Sequence, residues 1–371
     1  MKQINFKKKI NWWKINFDLK SVNYIKNSIK QKNVSQGLVT KKLENKFSKV
    51  LKIKYVTMTN NGSVALLMSL LSLNLKKDEE VILQNRTWIS SANAIYFIGA
   101  KIKIVDVHFN MQACDIKEIF KAITKKTKVI IITHMNGNFI NLDYLNKIKK
   151  KFPKIKIIED ASQALFSKYK NKYLGTFGDI GCFSLSVAKL LSTGQGGFIV
   201  TNNKKIDNFL KKFRSHSQIS NTEQKFNSFG FNFRFNDILS SFGLFHLQHI
   251  KKKKQNLIKI YQLYEKELSN LKKIKIVHRC HSSVIPVYIE CLVDNRKKFC
   301  TYLLKHGIET RKFYNSLNSV SYLKKILVNK NHTFKNSKIF EKKGVYLPSG
   351  PDQNIKDIQF VIKIIRSYDS K

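Results

Sequence analysis

The sequence predicts an α/β protein in which helices flank a large, mostly parallel mixed sheet, followed by a smaller C-terminal α+β domain. Its 371 residues are enough for about two domains. Hydrophobic residues make up 43% and charged residues 25%, which is ordinary for a globular protein. From residue 55 onward, short apolar runs alternate with helix-length stretches of 3.6-residue periodicity, a pattern typical of parallel sheets covered by helices.

The elements follow in order along the chain. The first 50 residues are basic and predict mostly helix, with a turn at Gln36-Gly37. The apolar runs predict buried strands at residues 55–59, 80–83, 103–107, 129–133, 155–159, 180–185 and 198–201, with helices at 63–73, 90–98 and 142–151 between several of them. In such sheets ligands bind outside the carboxyl ends of the strands, so candidate site residues are sought there.

The C-terminal part has a different pattern. One long helix is predicted over residues 236–271, and its run Lys251–Lys254 is interpreted as a solvated helix face. Short strands and helices follow at 283–291, 296–306 and 355–366. We therefore expect a large domain over residues 1–250, including the N-terminal helical segment, and a small C-terminal domain over residues 251–371.

The charge of the chain is +45, the difference between 69 basic and 24 acidic residues. That excess suggests binding to nucleic acid or to an anionic membrane. Only seven of the 69 basic residues are arginine, however, and bidentate recognition of phosphate and guanine favours arginine. Lys, Asn and Ile share A/T-rich codons, so we attribute the charge to a low-GC genome and expect no specific nucleic-acid partner.

The five cysteines bear on the compartment. An odd number without C-x-x-C spacing favours a reducing compartment over a disulfide or zinc framework. The stretch 278–281 (H-R-C-H) could touch a metal but lacks a second ligand pair, so no metal is expected. No run approaches 18 apolar residues, and the start of the chain lacks the apolar core of a signal peptide. We expect a cytoplasmic protein without membrane insertion.

Three segments carry residues suited to chemistry. In the first, residues 59–65 (T-N-N-G-S-V-A), a strand ends, Gly62 permits a tight turn and a helix starts at Ser63. Free N–H groups and the helix dipole make an anion site at such a point. An ordinary helix cap by Ser63 explains the same residues, and the segment alone leaves both interpretations open.

In the second segment, residues 157–163 (I-I-E-D-A-S-Q), a buried strand delivers Glu159 and Asp160 at its carboxyl end. Burying a carboxylate costs free energy unless it has a charged or hydrogen-bonding partner. One acid could be a helix cap. Two acids with Gln163 in the same turn favour a functional site.

In the third segment, a strand ends at Ser184 and Lys189 follows five residues later, before the Gly-rich turn 194–197. Most lysines of this chain are expected on the surface. Lys189 lies in a largely apolar stretch, and desolvation lowers the pKa of a lysine and makes it a competent amine nucleophile for carbonyls.

Taken together, these segments resemble one family. The matching stretches are the Gln36-Gly37 turn, residues 61–66 (N-G-S-V-A-L), 87–94 (T-W-I-S-S-A-N-A), 159–164 (E-D-A-S-Q-A), 178–189 (G-D-I-G-C-F-S-L-S-V-A-K), 230–234 (G-F-N-F-R), 307–311 (G-I-E-T-R) and Leu347-Pro348. In this order they resemble the DegT/DnrJ/EryC1/StrS sugar aminotransferases, over nearly the whole chain. The resemblance implies the aspartate-aminotransferase fold, which is fold type I of the enzymes that use pyridoxal 5'-phosphate (PLP).

The resemblance also implies catalytic roles. Lys189 would carry PLP covalently and, once released, move protons as general base and acid. Asp160 would pair with the pyridine nitrogen and keep it protonated, so that the ring accepts carbanion electrons. Gln163 would hydrogen-bond the 3-hydroxyl of the ring. Trp88 would stack on the ring face; without the resemblance, a core aromatic residue is the alternative interpretation.

The remaining implied contacts concern the phosphate and the substrate. Gly62, Ser63 and Ser184 would hold the phosphate, and Asn232 would reach it from the neighbouring subunit of a homodimer. Arg234 and Arg311 fall inside matching motifs of a chain that otherwise uses lysine, and the guanidinium fork suits substrate phosphates or glutamate. We predict both arginines as substrate residues.

The resemblance predicts transfer of an amino group from L-glutamate to a nucleotide-linked keto-deoxysugar for surface polysaccharide. A 4-keto-6-deoxyhexose is favoured, since residues 308–311 resemble perosamine-type synthases. A 3-keto sugar, a cyclitol and a non-catalytic regulatory or binding role stay as alternatives. Family members that dehydrate sugars carry His at the position of Lys189, so this lysine favours transamination. Departures from the family pattern are Gln84-Asn85 in place of the usual Pro, Ser186 at a variable position and Gln195 in the Gly-rich turn.

Overall fold

The computed structural model describes residues 9–218, 225, 226 and 228–370. Within them the helices are α1 (Ser21–Lys30), α2 (Leu38–Leu51), α3 (Gly62–Leu71), α4 (Ile89–Phe97), α5 (Ile116–Ala122), α6 (Tyr144–Lys151), α7 (Lys204–Phe213), α8 (Asp237–Gln248), α9 (Ile250–Leu268), α10 (Arg296–Lys305), α11 (Lys335–Lys343) and α12 (Ile355–Asp369). Short 3₁₀ turns lie at Met135–Gly137, Leu317–Ser319 and Tyr322–Lys325.

The strands of the same residues are β1 (Tyr55–Thr59), β2 (Glu80–Gln84), β3 (Lys101–Val105), β4 (Thr127–Thr133), β5 (Lys156–Asp160), β6 (Lys168–Tyr169), β7 (Lys172–Tyr173), β8 (Ile180–Ser184), β9 (Gly197–Thr201), β10 (Ile274–Ile276), β11 (Ile289–Val293), β12 (Arg311–Lys312) and β13 (Gly344–Leu347). The seven strands and three helices predicted between residues 55 and 201 agree with these bounds to within two residues. Apolar runs in a buried sheet identify strands well because both faces are covered.

Seven strands form the large sheet, in the order β1-β9-β8-β5-β4-β2-β3. The pairs from β8 to β3 are parallel, whereas β9 runs antiparallel to both β8 and β1. The sheet is almost wholly buried, with hydrophobic clusters on its two faces. The predicted α/β class with a mostly parallel mixed sheet is confirmed. Because β1, β8, β5, β4 and β2 share one direction, their carboxyl ends meet at one edge.

A second, four-stranded antiparallel sheet has the order β10-β11-β13-β12. Helices α9, α10 and α12 pack on it around a separate core that includes Tyr264, Phe299 and Ile365. The N-terminal segment also joins this part, since Ile10 pairs with Ile308 and Trp13 with Ser349. The division into residues 1–250 and 251–371 stays a prediction.

The long helix predicted over residues 236–271 is wrong, because two helices stand in its place. His249 separates α8 from α9 with non-helical backbone angles (φ −96°, ψ 8°). Its amide donates to the carbonyl of His246 and its ring Nδ1 lies 2.9 Å from the carbonyl oxygen of Phe245. The 3.6-residue periodicity continues across the break, so sequence periodicity does not reveal it.

The run Lys251–Lys254 on α9 was interpreted as a solvated helix face, and this is correct for only part of it. Lys251 and Lys252 are exposed. Lys253 is buried and its Nζ lies 3.3 Å from a carboxylate oxygen of Asp352. Lys254 is half-buried over the ring of Phe166, and burial lowers its pKa. Half of the run therefore packs against the protein.

Two observations concern the predicted absences. In the described residues, no helix is long and apolar enough to cross a membrane. Over the same residues no three potential metal ligands come together. The side chains of the 278–281 stretch have other partners, with His278 beside Glu265 and His281 beside Ser283.

Candidate active site

A cavity of about 310 Å³ opens at the carboxyl edge of the large sheet. Eight of the ten predicted site residues line it, namely Gly62, Ser63, Trp88, Asp160, Gln163, Ser184, Lys189 and Arg311. They come from five separate stretches of the chain. Seven of them lie at or after the carboxyl ends of strands of the large sheet, and Arg311 comes from the small sheet. Its volume is within the range of small-molecule sites, roughly 300–1,000 Å³.

One end of the cavity is the start of α3, which we call the α3 turn (residues 60–64). Asn61 caps the helix, since its side-chain oxygen accepts from the amide of Val64 at 2.9 Å. The first amides of a helix have no intrahelical partner, so Gly62 and Ser63 offer N–H groups to an anion. Gly62 lies tightly against β8, because a Cβ built on it would approach the Cβ of Ser184 to 2.9 Å. The cap is thus Asn61, and Ser63 is left exposed to the cavity.

The two acids at the end of β5 have separate surroundings. Asp160 is 4% exposed and lines the cavity, where its carboxylate accepts from the hydroxyl of Ser91 at 2.9 Å and from the amide of Ser162 at 3.2 Å. Glu159 is fully buried and lies outside the cavity lining. Of the two acids, only Asp160 lines the cavity, and its predicted role stays a prediction.

Glu159 instead anchors the loop that leads into β8. Its carboxylate lies 2.8 Å from Nε2 of His134 and accepts amide hydrogen bonds from Gly175, Phe177 and Gly178. Burial raises the pKa of the Glu159 carboxyl, but the bonds from His134 and these amides outweigh it, so the pKa lies below its ordinary value. The charge is satisfied locally and serves the fold.

The side chain of Gln163 is oriented by a backbone amide from another segment of the chain. Its side-chain oxygen accepts from the amide of Asn136 at 2.9 Å. The side-chain nitrogen of Gln163 is then the group left to face the cavity, as a hydrogen-bond donor. Such a donor suits an oxygen on a bound ring.

Trp88 lies just before α4, as its N-cap residue, and is 47% exposed. Its ring system and that of Tyr314 are perpendicular, with a centroid distance of 5.7 Å and an interplanar angle of 86°. Such a contact occupies at most one face of Trp88 and leaves the other available for stacking. The alternative of a core aromatic residue is contradicted by this exposure.

Lys189 lies in the lysine loop (residues 186–191), which follows β8. Its side chain is half-buried and lines the cavity with Ala188. Among the residues that the structure describes, its amine has no hydrogen bond and no ion pair. A cavity-facing amine without a partner is available to react with a bound carbonyl group.

Arg311 lines the cavity from the small sheet, at the first residue of β12. Its guanidinium lies over the ring of Trp12, 5.0 Å from the ring centre. Stacking on an aromatic face orients an arginine while leaving its N–H groups free to bind an anion.

Asn232 and Arg234 lie outside this cavity. Asn232 is exposed, and its backbone pairs with Ser215. Arg234 is half-buried, with a buried Nε that has no hydrogen-bond partner within the described ranges. Neither residue reaches the site of its own subunit, so a role for them stays a prediction.

Several lining residues were missed by the sequence interpretation: Trp12, Tyr288, Tyr314 and Tyr346. All come from the N-terminal segment or the small domain. The Trp12-Trp13 pair was a visible signal in a basic segment, but no motif marks the three tyrosines.

A family model for the DegT/DnrJ/EryC1/StrS aminotransferases matches residues 17–366. The chain belongs to this family. It is a PLP-dependent aminotransferase, and PLP is its cofactor. The resemblance drawn from the motifs is confirmed.

Individual relatives of this aminotransferase agree with the family. It is 28% identical to the GDP-perosamine synthase of Escherichia coli O157:H7, over 91% of this chain and 92% of that protein. It is also 31% identical to the GDP-4-keto-6-deoxy-D-mannose 3-dehydratase of Escherichia coli O55:H7, over 54% of this chain and 53% of that protein. The solved Helicobacter pylori PseC, an aminotransferase of pseudoaminic acid biosynthesis, has the same fold, with a TM-score of 0.91 at 22% identity, covering 98% of this chain and all of that one.

The donor set of the cavity fits PLP. The α3 turn offers amides and the Ser63 hydroxyl to a phosphate, and the Asp160 carboxylate offers a partner for a pyridinium nitrogen. Gln163 offers a donor to the ring oxygen, Trp88 a flat face and Lys189 an amine. Bound PLP supplies an electron sink for the carbanion formed at the substrate carbon.

Proposed function

We propose that this aminotransferase moves an amino group from L-glutamate to a nucleotide-linked keto-deoxysugar, with a 4-keto-6-deoxyhexose as the favoured acceptor. The product serves surface polysaccharide biosynthesis. The observation that carries the proposal is the convergence of Lys189, Asp160 and Gln163 on one cavity.

The roles of these side chains follow from their positions. Asp160, buried and oriented by Ser91, holds a proton on the ring nitrogen. The amine of Lys189 would move a proton from the α-carbon of glutamate to the C4′ carbon of the bound cofactor. With the acceptor it would move a proton the opposite way, from C4′ to the reacting carbon of the sugar. Gln163, fixed by Asn136, orients the ring between these two groups. The Trp88 face packs on the ring and excludes water.

The proposed class of acceptor is supported by the relatives and by Arg311, which lines the cavity from the small sheet. Two relatives have GDP-linked sugars in their names, the GDP-perosamine synthase and the GDP-4-keto-6-deoxy-D-mannose 3-dehydratase. The second name states a 4-keto-6-deoxy sugar. In this chain Arg311 presents a guanidinium at the cavity. We assign it to a substrate phosphate or to a carboxylate of glutamate. Arg234 lies outside the cavity of its own chain, so we propose that it contacts the substrate in the cavity of the neighbouring subunit.

We also propose a homodimer in which Asn232 completes the phosphate site of the neighbouring subunit. Asn232 is exposed and outside the cavity of its own chain, as this arrangement requires. The mass of the protein in solution tests the dimer. A cytoplasmic location belongs to the same proposal, since nucleotide sugars are made there.

The alternative functions differ in whether they require the amine of Lys189. A 3-keto sugar or cyclitol acceptor keeps the same residues and changes only the acceptor. A dehydratase, a regulatory relative or a nucleic-acid binder does not need the amine of Lys189 in this cavity. Retention of Lys189 beside Asp160 therefore favours transamination.

The purified protein with PLP tests the proposal. We expect a visible absorbance band for lysine-bound PLP, and Lys189→Ala abolishes both the band and turnover. Lys252→Ala, which removes an exposed lysine of α9, is the matched control and keeps both. A wild-type protein that binds no PLP would falsify the proposal. With glutamate as donor, a panel of 4-keto and 3-keto nucleotide sugars and keto-cyclitols then identifies the acceptor.

A further inference from the structure

The lysine loop has few backbone contacts of its own. At its base the amide of Leu185 donates to the carbonyl of Gly196, and the amide of Thr193 donates to the carbonyl of Leu185. Between these bonds, residues 186–191 form only a tight turn at 187–188 and belong to no helix or strand. The peptide that carries Lys189 is therefore not held by a helix or a strand.

Two side chains from outside the large sheet replace those missing contacts. The indole Nε1 of Trp13 donates to the carbonyl of Val187 at 3.1 Å. The hydroxyl of Tyr288 donates to the carbonyl of Ala188 at 2.6 Å. These are the two consecutive carbonyls directly before Lys189, and both donors are at least nine-tenths buried.

Tyr288 is itself fixed to the cofactor side of the cavity. Its backbone amide donates to the side-chain oxygen of Asn136, and the side-chain nitrogen of Asn136 donates to its carbonyl, both at 2.8 Å. The backbone amide of Asn136 binds Gln163. A continuous chain of hydrogen bonds thus runs from Gln163 through Asn136 and Tyr288 to the peptide of Ala188.

Trp13 is fixed by a different route. Its neighbours Trp12 and Lys14 exchange backbone hydrogen bonds with Ser349, at 2.8 and 3.0 Å. Its ring also meets the ring of Tyr288 edge-on, at a centroid distance of 5.4 Å. The two donors therefore support each other as well as the loop.

We propose that Trp13 and Tyr288 are positioning residues, which set the place of the Lys189 amine relative to Gln163 and Asp160 through the two peptide carbonyls that precede it. The inference rests on the proposed function, because it concerns the lysine that carries PLP and moves the proton. A misplacement of about 1 Å can slow a positioned reaction about a hundredfold, so a loosened loop should slow proton transfer more than binding.

Tyr288→Phe tests the proposal because it removes only the hydroxyl. Its matched control is Tyr264→Phe: Tyr264 is buried and donates in the same way to a backbone carbonyl, that of Pro348, but belongs to the core of the small domain. Each variant is measured with glutamate for kcat, KM and the isotope effect of α-deuterated glutamate. Without substrate, the pH titration of the PLP absorbance band and the rate at which the apoprotein regains that band are measured.

For Tyr288→Phe we expect kcat to fall about tenfold at nearly constant KM for glutamate, because the base is misplaced while binding is kept. The isotope effect rises, the PLP band titrates at a different pH and the apoprotein regains the band more slowly. Tyr264→Phe matches the wild type in all four measurements, although both variants lose a similar amount of thermal stability.

The proposal is overturned if Tyr288→Phe and Tyr264→Phe differ from wild type only in stability. If Tyr288→Phe does not fold, Trp13→Phe provides the test instead. We expect it to show the same changes in isotope effect and in the pH titration of the PLP band, and wild-type values in both measurements would contradict the proposal. A wild-type protein that lacks the PLP band would instead count against the proposed function, so the two failures are distinguishable.

Discussion

The α3 turn and the lysine loop lie at the same cavity but are built in different ways. The α3 turn is defined by neighbours in sequence, with Asn61 capping the helix that it begins. The lysine loop is fixed by Trp13 and Tyr288, which are 174 and 100 residues away from their partners in the loop. The α3 turn is therefore a local motif, whereas the carbonyls before Lys189 bind side chains of the N-terminal segment and of the residue that precedes β11.

This difference suggests a division of labour. Binding a phosphate requires fixed amides and a helix dipole, which one turn can provide. Under the proposed function, the amine of Lys189 acts on two substrates in succession, and its loop has support from two separate elements. Three perturbations test the contrast, and they are described from the largest expected effect to the smallest.

The first perturbation is Glu159→Gln, which weakens the anchor of the loop leading into β8 and the lysine loop. The variant places a side-chain NH₂ group against backbone amides and removes a buried charge, so we expect the free energy of unfolding to fall by about 3 kcal/mol or more. Urea unfolding measures this loss. Asp160→Asn is the control from the adjacent position, and it should reduce kcat strongly with a smaller loss of stability. Equal stability losses in the two variants would contradict the separation of their roles.

The second perturbation is Glu290→Gln, on the strand β11 that follows Tyr288. Burial raises the pKa of the Glu290 carboxyl from 4.5 to about 7, against opposing contributions from Gln112, Asn136 and Arg86. The folded protein therefore holds a proton that the unfolded chain loses near pH 4.5. The contribution of this group to stability is complete below pH 4.5 and is lost as the pH rises through 7.

The glutamine variant is neutral at every pH and removes this dependence. Between pH 5 and pH 8, its free energy of unfolding should gain about 2.5 kcal/mol relative to wild type. Chemical unfolding at the two pH values measures the gain. Parallel pH profiles of the two proteins would show that Glu290 ionises normally in the fold.

The third perturbation is Gly62→Ala, in the α3 turn. The added Cβ meets Ser184 at a distance that real contacts do not tolerate, so the turn or the start of the loop after β8 must shift. We expect PLP affinity to fall about tenfold, equivalent to about 1.4 kcal/mol, with little change in unfolding free energy of the apoprotein. Equilibrium titration with PLP measures it. Ser184→Gly alone also removes a proposed phosphate contact, so it supplies the reference background. If the clash is the cause, Gly62→Ala should cost less affinity in that background than in wild type, and an equal cost in both would point to a different cause.

The sequence predicted the large sheet accurately because buried strands are continuous apolar runs and the turns between them carry recognisable residues. It also identified eight residues that share the cavity. Seven of them follow strands of the large sheet whose carboxyl ends meet at one edge, and Arg311 reaches the cavity from the small sheet. It missed the break at His249, because helical periodicity continues through it. It also missed Trp12, Tyr288, Tyr314 and Tyr346, whose arrival at the site depends on how the two sheets pack.

The sequence by itself determined the strand–turn–helix of the α3 turn, the acid pair at the end of β5 and the lysine after β8, because each depends on residues within a few positions of one another. Only the tertiary structure decided which acid enters the cavity. Successive strand residues face opposite sides of a sheet, and the loop containing Gly178 covers the side of Glu159. The tertiary structure likewise brought Trp13 and Tyr288 to the lysine loop, because contacts across a hundred residues exist only after the whole fold has formed.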